Sequence, residues 1–296
     1  MYTYEVFGLT VNSSFALPEL LSIEPVANAD IVVRQGKVPM ELLYADAAGV
    51  LYQVNSTQFR LSVDGVARYL VTEGKEILVD AEPDADDASI RLFLLTSPLA
   101  AILHQRGILP LHGSSIETPK GAVIFAGLSG MGKSTLAAAF YRRHYQVLAD
   151  DISVVDLDAN GTPVVLPGYP QIKLWMESLQ KLEESSNTLQ KVRPQLDKYA
   201  LPIRDAFRKE ALPIYTIYTL NIGKEREILI RSIKGLQKLT LLQPHVYRGH
   251  LLENMGKVNM HLPELVRTVR VCSVTRPLQP FMLDELVESI EADFLA

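Results

Sequence analysis

Along the first eighty residues, apolar and polar positions alternate in short runs: Tyr4–Val11, Ile31–Arg34, Tyr52–Val54, Phe59–Val63, Val66–Thr72 and Ile77–Val79. A period of two predicts strands, because successive side chains on an extended chain face opposite sides. Asp64-Gly65 and Glu73-Gly74 fall between runs and supply turns. The pattern breaks over 82–89, where Pro83 sits among Glu82, Asp84, Asp86 and Asp87. This predicts a strand-rich N-terminal domain over 1–85 and a second domain over 86–296. One of those aspartates, or Ser89, is placed to cap the helix that follows; carboxylates gathered there suit its dipole, and a metal site is the alternative. The most apolar stretch, Leu92–Leu103, contains Pro98 and is bounded by Arg91, His104 and Arg106. It is too short to span a bilayer and predicts a buried helix.

From about residue 107 the pattern turns α/β. Ala122–Ala126 is an apolar run of central-strand length, Lys133–His144 reads as a helix, and Gln146–Ala149 reads as a second buried strand ending in two aspartates. Ile152–Leu157 and Pro163–Leu166 flank Asn160-Gly161, a strong hairpin signal. A hairpin directly after the acidic pair departs from all-parallel nucleotide-binding folds. Farther on, Trp175, Leu179 and Leu182 recur at helical spacing, and Ile214–Ile222 and Glu227–Ile233 predict a strand pair across Gly223-Lys224. Leu283, Leu286, Val287, Ile290 and Phe294 share one face of a predicted C-terminal helix, a stripe expected to pack into the core. No internal repeat or low-complexity segment interrupts this order.

Composition narrows the classes. The chain has 296 residues, 48% hydrophobic and 21% charged, ordinary values for a globular protein. Its net charge of −5 is spread along the chain and gives no electrostatic reason to expect nucleic acid or an anionic membrane as partner. Cys272 is the lone cysteine, so no intrachain disulfide forms, and it reads as a small core residue. The N-terminus, MYTYEVFGLT, shows no basic region followed by an apolar one. These features together predict a cytoplasmic location.

The chemistry is concentrated between residues 111 and 151. Gly127-Leu128-Ser129-Gly130-Met131-Gly132-Lys133-Ser134 satisfies G-x-x-x-x-G-K-[ST] in full, with Thr135 following. Polyphosphate must be met by several backbone N–H groups at once, and glycines remove the Cβ atoms that would obstruct the approach. The helix opening at Lys133 aims free N–H groups and its positive end at the same phosphates. Lys133 suits the β- and γ-phosphates, and the Ser134 hydroxyl suits magnesium. The alternative is an ordinary strand–turn–helix junction, but the predicted strand before the loop and helix after it are the context nucleotide binding requires.

Asp150 and Asp151 end the next apolar strand, where a carboxylate can reach the metal or the attacking group. Adjacent residues on an extended chain point to opposite sides, so the pair divides its work. Asp150 is assigned to the metal and Asp151 to the acceptor hydroxyl as general base, against the alternative of a plain turn before the hairpin. His112, in Leu111-His112-Gly113-Ser114-Ser115, is open between a structural and a functional reading. His104, His144, His245, His250 and His261 read as structural, and Lys173, Lys198 and Arg248 are secondary phosphate or substrate contacts set against ordinary solvated cations.

The sequence Leu111-His112-Gly113-Ser114, the GLSGMGKS loop and Val147-Leu148-Ala149-Asp150-Asp151 together resemble the catalytic domain of the bacterial HPr kinase/phosphorylase family. The resemblance covers roughly residues 107–157. It implies a core with a mixed sheet similar to that of phosphoenolpyruvate carboxykinase, with ATP and magnesium as cofactors. It also implies that Asp151 is the general base on a serine hydroxyl, that His112 assists near the reacting phosphate and that Ser134 holds magnesium. The family's Glu-x-Arg-Gly-Leu-Gly signature is missing, and Leu166–Trp175 stands in its region. Pro167-Gly168-Tyr169-Pro170 with Leu174-Trp175 is similar instead to HPr-kinase-related proteins of ribosomal-peptide biosynthesis, some of which phosphorylate a serine of a lasso-peptide precursor.

The resulting expectation is an ATP-dependent serine kinase acting on a peptide or protein, with a homo-oligomer compatible with the resemblance. The rival readings are an HPr-type kinase/phosphorylase, a small-metabolite kinase, and a nucleotide-binding regulatory module without transfer activity.

Overall fold

The computed structural model describes residues 1–224, 226–250, 255, 261–279 and 282–296. The chain is mixed α/β and divides into two compact units. The first comprises Met1–Leu109 with Lys191–Asp197 and Arg248–Met260, and the second Pro110–Gln190, Lys198–Tyr247 and His261–Ala296.

The first unit holds strands β1 (Tyr2–Val6), β2 (Leu9–Ser13), β3 (Leu21–Ser22), β4 (Ile31–Gln35), β5 (Ala47–Ala48), β6 (Tyr52–Val54), β7 (Gln58–Val63), β8 (Ala67–Thr72) and β9 (Glu76–Ala81). They form one mixed sheet in the order β3-β1-β2-β4-β9-β8-β7-β6-β5. The predicted single run Tyr4–Val11 is in fact a hairpin, because Phe7 and Gly8 both adopt positive φ (54° and 67°), the conformation of a tight two-residue turn.

Helices α1 (Asp87–Leu94) and α2 (Ser97–Gln105) replace the one predicted buried helix. The break falls before Ser97, and Pro98 is tolerated because it sits in the first turn of α2. Asp86 caps α1 through the Ser89 backbone N–H, 2.8 Å away. The units divide after Leu109 and not at 85/86, because both helices belong to the first sheet. Tyr69 Oη donates to the Ile90 carbonyl at 2.9 Å, and Gln105 bonds Gly74 and Thr57.

The second unit begins with β10 (Leu109–Thr118), β11 (Gly121–Ala126), α3 (Lys133–Arg142), β12 (Val147–Ala149), β13 (Ile152–Leu157) and β14 (Pro163–Leu166). It continues with β15 (Gln171–Trp175), α4 (Met176–Lys181), β16 (Gln190–Lys191, of which Lys191 groups with the first unit), β17 (Lys198–Pro202), β18 (Leu212–Gly223) and β19 (Leu229–Ile233). The last elements are α5 (Gln237–Leu242), α6 (Leu262–Thr268), β20 (Arg270–Pro277) and α7 (Leu283–Leu295). Strand β11, apolar and buried along most of its length, lies between antiparallel β10 and parallel β18. β20 runs parallel to β18, and β12 joins β10 antiparallel. The hairpin β13–β14 forms across Asn160-Gly161 as the sequence predicts, and β14 reaches β18.

β18 and β19 are not partners. β20 lies between them, parallel to one and antiparallel to the other. β20 buries Val271, Cys272 and Val274 and suits a central position, whereas no residue of β19 is fully buried, as befits an edge. Trp175 also departs from its predicted helix: it ends β15 and is half-exposed, and only Leu179 of α4 is buried. The α7 stripe packs as expected, with Leu286, Val287, Ile290 and Phe294 buried and Leu283 at its margin. Phe140 of α3 bridges Phe125 of β11 and Phe294 of α7 at ring distances of 5.4 and 5.8 Å.

Candidate active site

Strand direction brings the candidate residues together. β12 is antiparallel to β10, and β10 is antiparallel to β11, so β11 and β12 end at the same edge where β10 begins. The register pairs Gly113 with Ala126 and Ser115 with Ala149. His112, the loop from Gly127 and the pair Asp150–Asp151 are therefore neighbours by topology, although 39 positions separate His112 from Asp151. Gly113 makes this possible: a Cβ there would lie 2.8 Å from the Phe125 carbonyl oxygen.

The loop 127–132 connects β11 to α3 in the way the motif requires. A Cβ on Gly127 would meet the Leu220 carbonyl at 3.1 Å and Met131 Cβ at 3.3 Å. Gly132 precedes α3 with φ 96°, a left-handed conformation that side chains disfavour. Leu128, Ser129 and Gly130 are exposed, Met131 and Gly132 half-buried, and Ser134 lies part-exposed in the first turn of α3. Thr135 is buried, and its hydroxyl is 2.8 Å from Ser178 Oγ of α4. Lys133 Nζ donates to the Gly127 and Leu128 carbonyls at 2.9 Å each. Burial lowers its pKa to about 8 against the opposing pull of Asp151 and Asp150. Arg276, at the end of β20, reaches the Met131 carbonyl at 3.5 Å.

The two aspartates have different surroundings. Asp150 is buried; its Oδ1 accepts from Ser114 Oγ at 2.6 Å and its Oδ2 from the Lys173 backbone N–H at 2.8 Å. Asp151 has φ 71°, an uncommon conformation that turns it away from the direction of β12. Its Oδ2 lies 3.6 Å from Lys173 Nζ and its Oδ1 3.8 Å from His112 Nδ1. Burial raises the Asp151 pKa, but Lys173, Lys198, His112 and Lys133 outweigh it and hold the carboxyl below its usual range.

His112 Nδ1 also lies 3.0 Å from the Asp151 carbonyl oxygen. A carbonyl only accepts, so Nδ1 carries the proton and Nε2 is left for other chemistry. Burial lowers the His112 pKa, aided by Lys133 and opposed by Asp151. The Tyr247 ring packs 5.5 Å from its imidazole.

Lys173 is not the solvated cation that its charge suggested. Only 5% of its side chain is exposed, and Nζ donates to Tyr169 Oη at 2.9 Å. Burial would push its pKa down, but Tyr169 and Asp151 raise it, so it stays protonated. The backbone explains the placement: Gly168 N–H donates to the Leu148 carbonyl at 2.8 Å, fastening the Pro167–Pro170 turn to β12. The sequence carried a weak signal for this, since Lys173 stands between Ile172 and Leu174, both buried. Lys198 pairs with Trp175 across β15 and β17, 5.8 Å from its ring, and contributes to the field at Asp151. Arg248 is exposed and groups with the first unit.

His245 is the residue that sequence reasoning missed most completely. It is buried at the end of the short turn Gln243–His245, and its electrostatic neighbours are Lys133 and His112. No periodicity pointed to it, because its position depends on pairing between Val246 and the distant Leu111.

The donor set fits a nucleotide and a magnesium ion. Gly127 leaves room where a Cβ would intrude, and Lys133 lies at the loop. Ser134 and Asp150 offer oxygen ligands, each carboxylate oxygen of Asp150 keeping a lone pair beyond the bond it accepts. Among the described residues, no group of three or more His, Cys, Asp and Glu side chains could hold a metal ion, and no helix is long and apolar enough to cross a membrane.

No protein-family model matches the chain, and no curated protein matches it. Among solved structures it is similar to the HPr(Ser) kinase/phosphatase from Coxiella burnetii, at 14% identity and a TM-score of 0.35, over 63% of this chain and 90% of that one. At that identity and TM-score, the chemistry rests on the residues themselves.

Proposed function

We propose that this chain is an ATP- and magnesium-dependent kinase that phosphorylates a serine hydroxyl of a peptide or protein, with a lasso-peptide precursor as the candidate acceptor. The observation that carries the reading is the meeting, at one sheet edge, of a complete phosphate loop with an ionised aspartate held among cations. Backbone N–H groups of Gly127–Thr135 bind the phosphate chain, and Lys133 attends the β- and γ-oxygens. Magnesium held by Ser134 and Asp150 would offset charge on those oxygens. Asp151 accepts the serine proton as the bond from serine Oγ to phosphorus forms and the bond to the ADP oxygen breaks. Its carboxylate is a weak base, but phosphoryl transfer asks chiefly for positioning, which Lys173 and the His112 contact provide. His112 Nε2 attends the transferred group. The spread of charge favours a peptide or protein acceptor over nucleic acid, and the lone buried cysteine suits a cytoplasmic setting.

The test is to incubate the protein with ATP, magnesium and a serine-containing precursor peptide and to weigh the products. A gain of one or more phosphate units, lost in Asp151→Asn with ATP binding retained, supports the reading. Near-normal turnover by Asp151→Asn overturns the general-base role. ATP bound but never transferred to any hydroxyl points to a regulatory module instead, and transfer only to small alcohols to a metabolite kinase.

A further inference from the structure

We infer that His245 is a ligand-contacting residue of the phosphate site, its imidazole donating a hydrogen bond to an oxygen of the γ-phosphoryl group of ATP. This rests on the nucleotide reading above and adds a residue that neither the motif nor the resemblance assigns. Buried polar atoms are almost always paired, yet the buried Nδ1 of His245 has no hydrogen-bond partner among the described residues, and His245 is only 7% exposed.

The backbone explains how it comes to the site. Val246 bridges Leu111, the residue before His112, and Tyr247 N–H donates to the Pro110 carbonyl at 2.8 Å. Tyr247 then packs its ring on His112. The segment is thus clamped beside the start of β10, at the edge where the phosphate loop and Asp151 lie.

The surroundings identify the kind of ligand. Among the described residues, the ionisable groups acting on His245 are Lys133 and His112, with no carboxylate. Lys133 keeps one N–H beyond its bonds to the Gly127 and Leu128 carbonyls, His112 keeps Nε2, and His245 Nδ1 has no partner among the described residues; an anion is what all three can share. In the nucleotide reading the loop N–H groups serve the earlier phosphates and Lys133 the β/γ end, so the γ-phosphoryl group is the portion we assign to His245, whose electrostatic neighbours are Lys133 and His112. Burial, reinforced by Lys133 and His112, lowers the His245 pKa to about 4, so the contact is that of a neutral N–H donor near pH 7.

Calorimetric titration with magnesium–ATP and magnesium–ADP, on the wild type, His245→Phe and His245→Gln, tests the inference. His245→Phe is expected to bind ATP about tenfold more weakly, the equivalent of one hydrogen bond, with ADP affinity unchanged. His245→Gln, which keeps a donor, should recover part of that loss. Equal weakening for both nucleotides would mean a purely structural role and overturn the inference, as would wild-type ATP affinity in His245→Phe. Should the Phe variant not fold, the imidazole nitrogen resonances of the wild-type protein serve instead: a shift with ATP but not ADP supports the contact, and no shift overturns it. A wild-type protein that binds neither nucleotide defeats the nucleotide reading itself. ATP binding without transfer to any hydroxyl defeats the kinase reading while leaving the His245 comparison intact.

Discussion

The Lys173–Asp151 pair offers a sharp test of how the site is held. Replacing Lys173 with Met keeps the length and apolar stem of the side chain but removes its charge. The ammonium lies 3.6 Å from Asp151 Oδ2, with 5% and 18% of the two side chains exposed. At that separation and an effective dielectric of about 20, the gross attraction is about 4–5 kcal/mol. Removing one partner of a buried pair costs about 3–5 kcal/mol, because the other charge is left stranded. Lys198, Lys133 and His112 still act on Asp151, which places the expected loss near the lower end, about 3 kcal/mol. The double variant Lys173→Met/Asp151→Asn removes both charges and should be less destabilised than the sum of the singles by about 2 kcal/mol. Urea unfolding of the four proteins, with the slopes compared, measures the cycle. The reasoning fails if Lys173→Met alone costs less than about 0.5 kcal/mol, or if the losses simply add.

Two further outcomes follow from the same geometry. His245 has a pKa of about 4 in the folded chain against an ordinary 6.5, so the unfolded chain takes up a proton first as pH falls. Wild-type stability should therefore decline between pH 6.5 and 4 by up to about 3 kcal/mol from this residue, and His245→Phe should lack that part of the decline in chemical denaturation; parallel pH profiles would refute it. Gly113→Ala should lower stability by about 2 kcal/mol or more, because its Cβ would press on the Phe125 backbone at 2.8 Å, and a thermal midpoint equal to wild type would contradict the close approach of β10 and β11.

What the sequence determined by itself is local. The G-x-x-x-x-G-K-[ST] motif is contiguous, and the nucleotide reading of its glycines, lysine and serine depends on spacing along a few residues. The hairpin across Asn160-Gly161, the Asp86 cap and the buried stripe of α7 were legible for the same reason: turn chemistry and side-chain period are properties of short segments. The place of Asp150–Asp151 at a strand end was legible too, while the role proposed for His112 rests on the resemblance.

Only the tertiary structure decided the rest. Whether β19 pairs with β18 depends on a strand from the far end of the chain, β20, claiming the position between them. That α1 and α2 belong with the first sheet follows from bonds such as Tyr69 to Ile90, which no composition shift announces. Lys173 looked like a surface cation because charge alone predicts exposure; the Gly168–Leu148 bond that draws its strand beside Asp151 is long-range. His245 was invisible for the same reason, since only the pairing of Val246 with Leu111 sets it near Lys133 and His112. A motif lies along the chain, whereas the field around Asp151 is built from groups that meet only when the sheet closes.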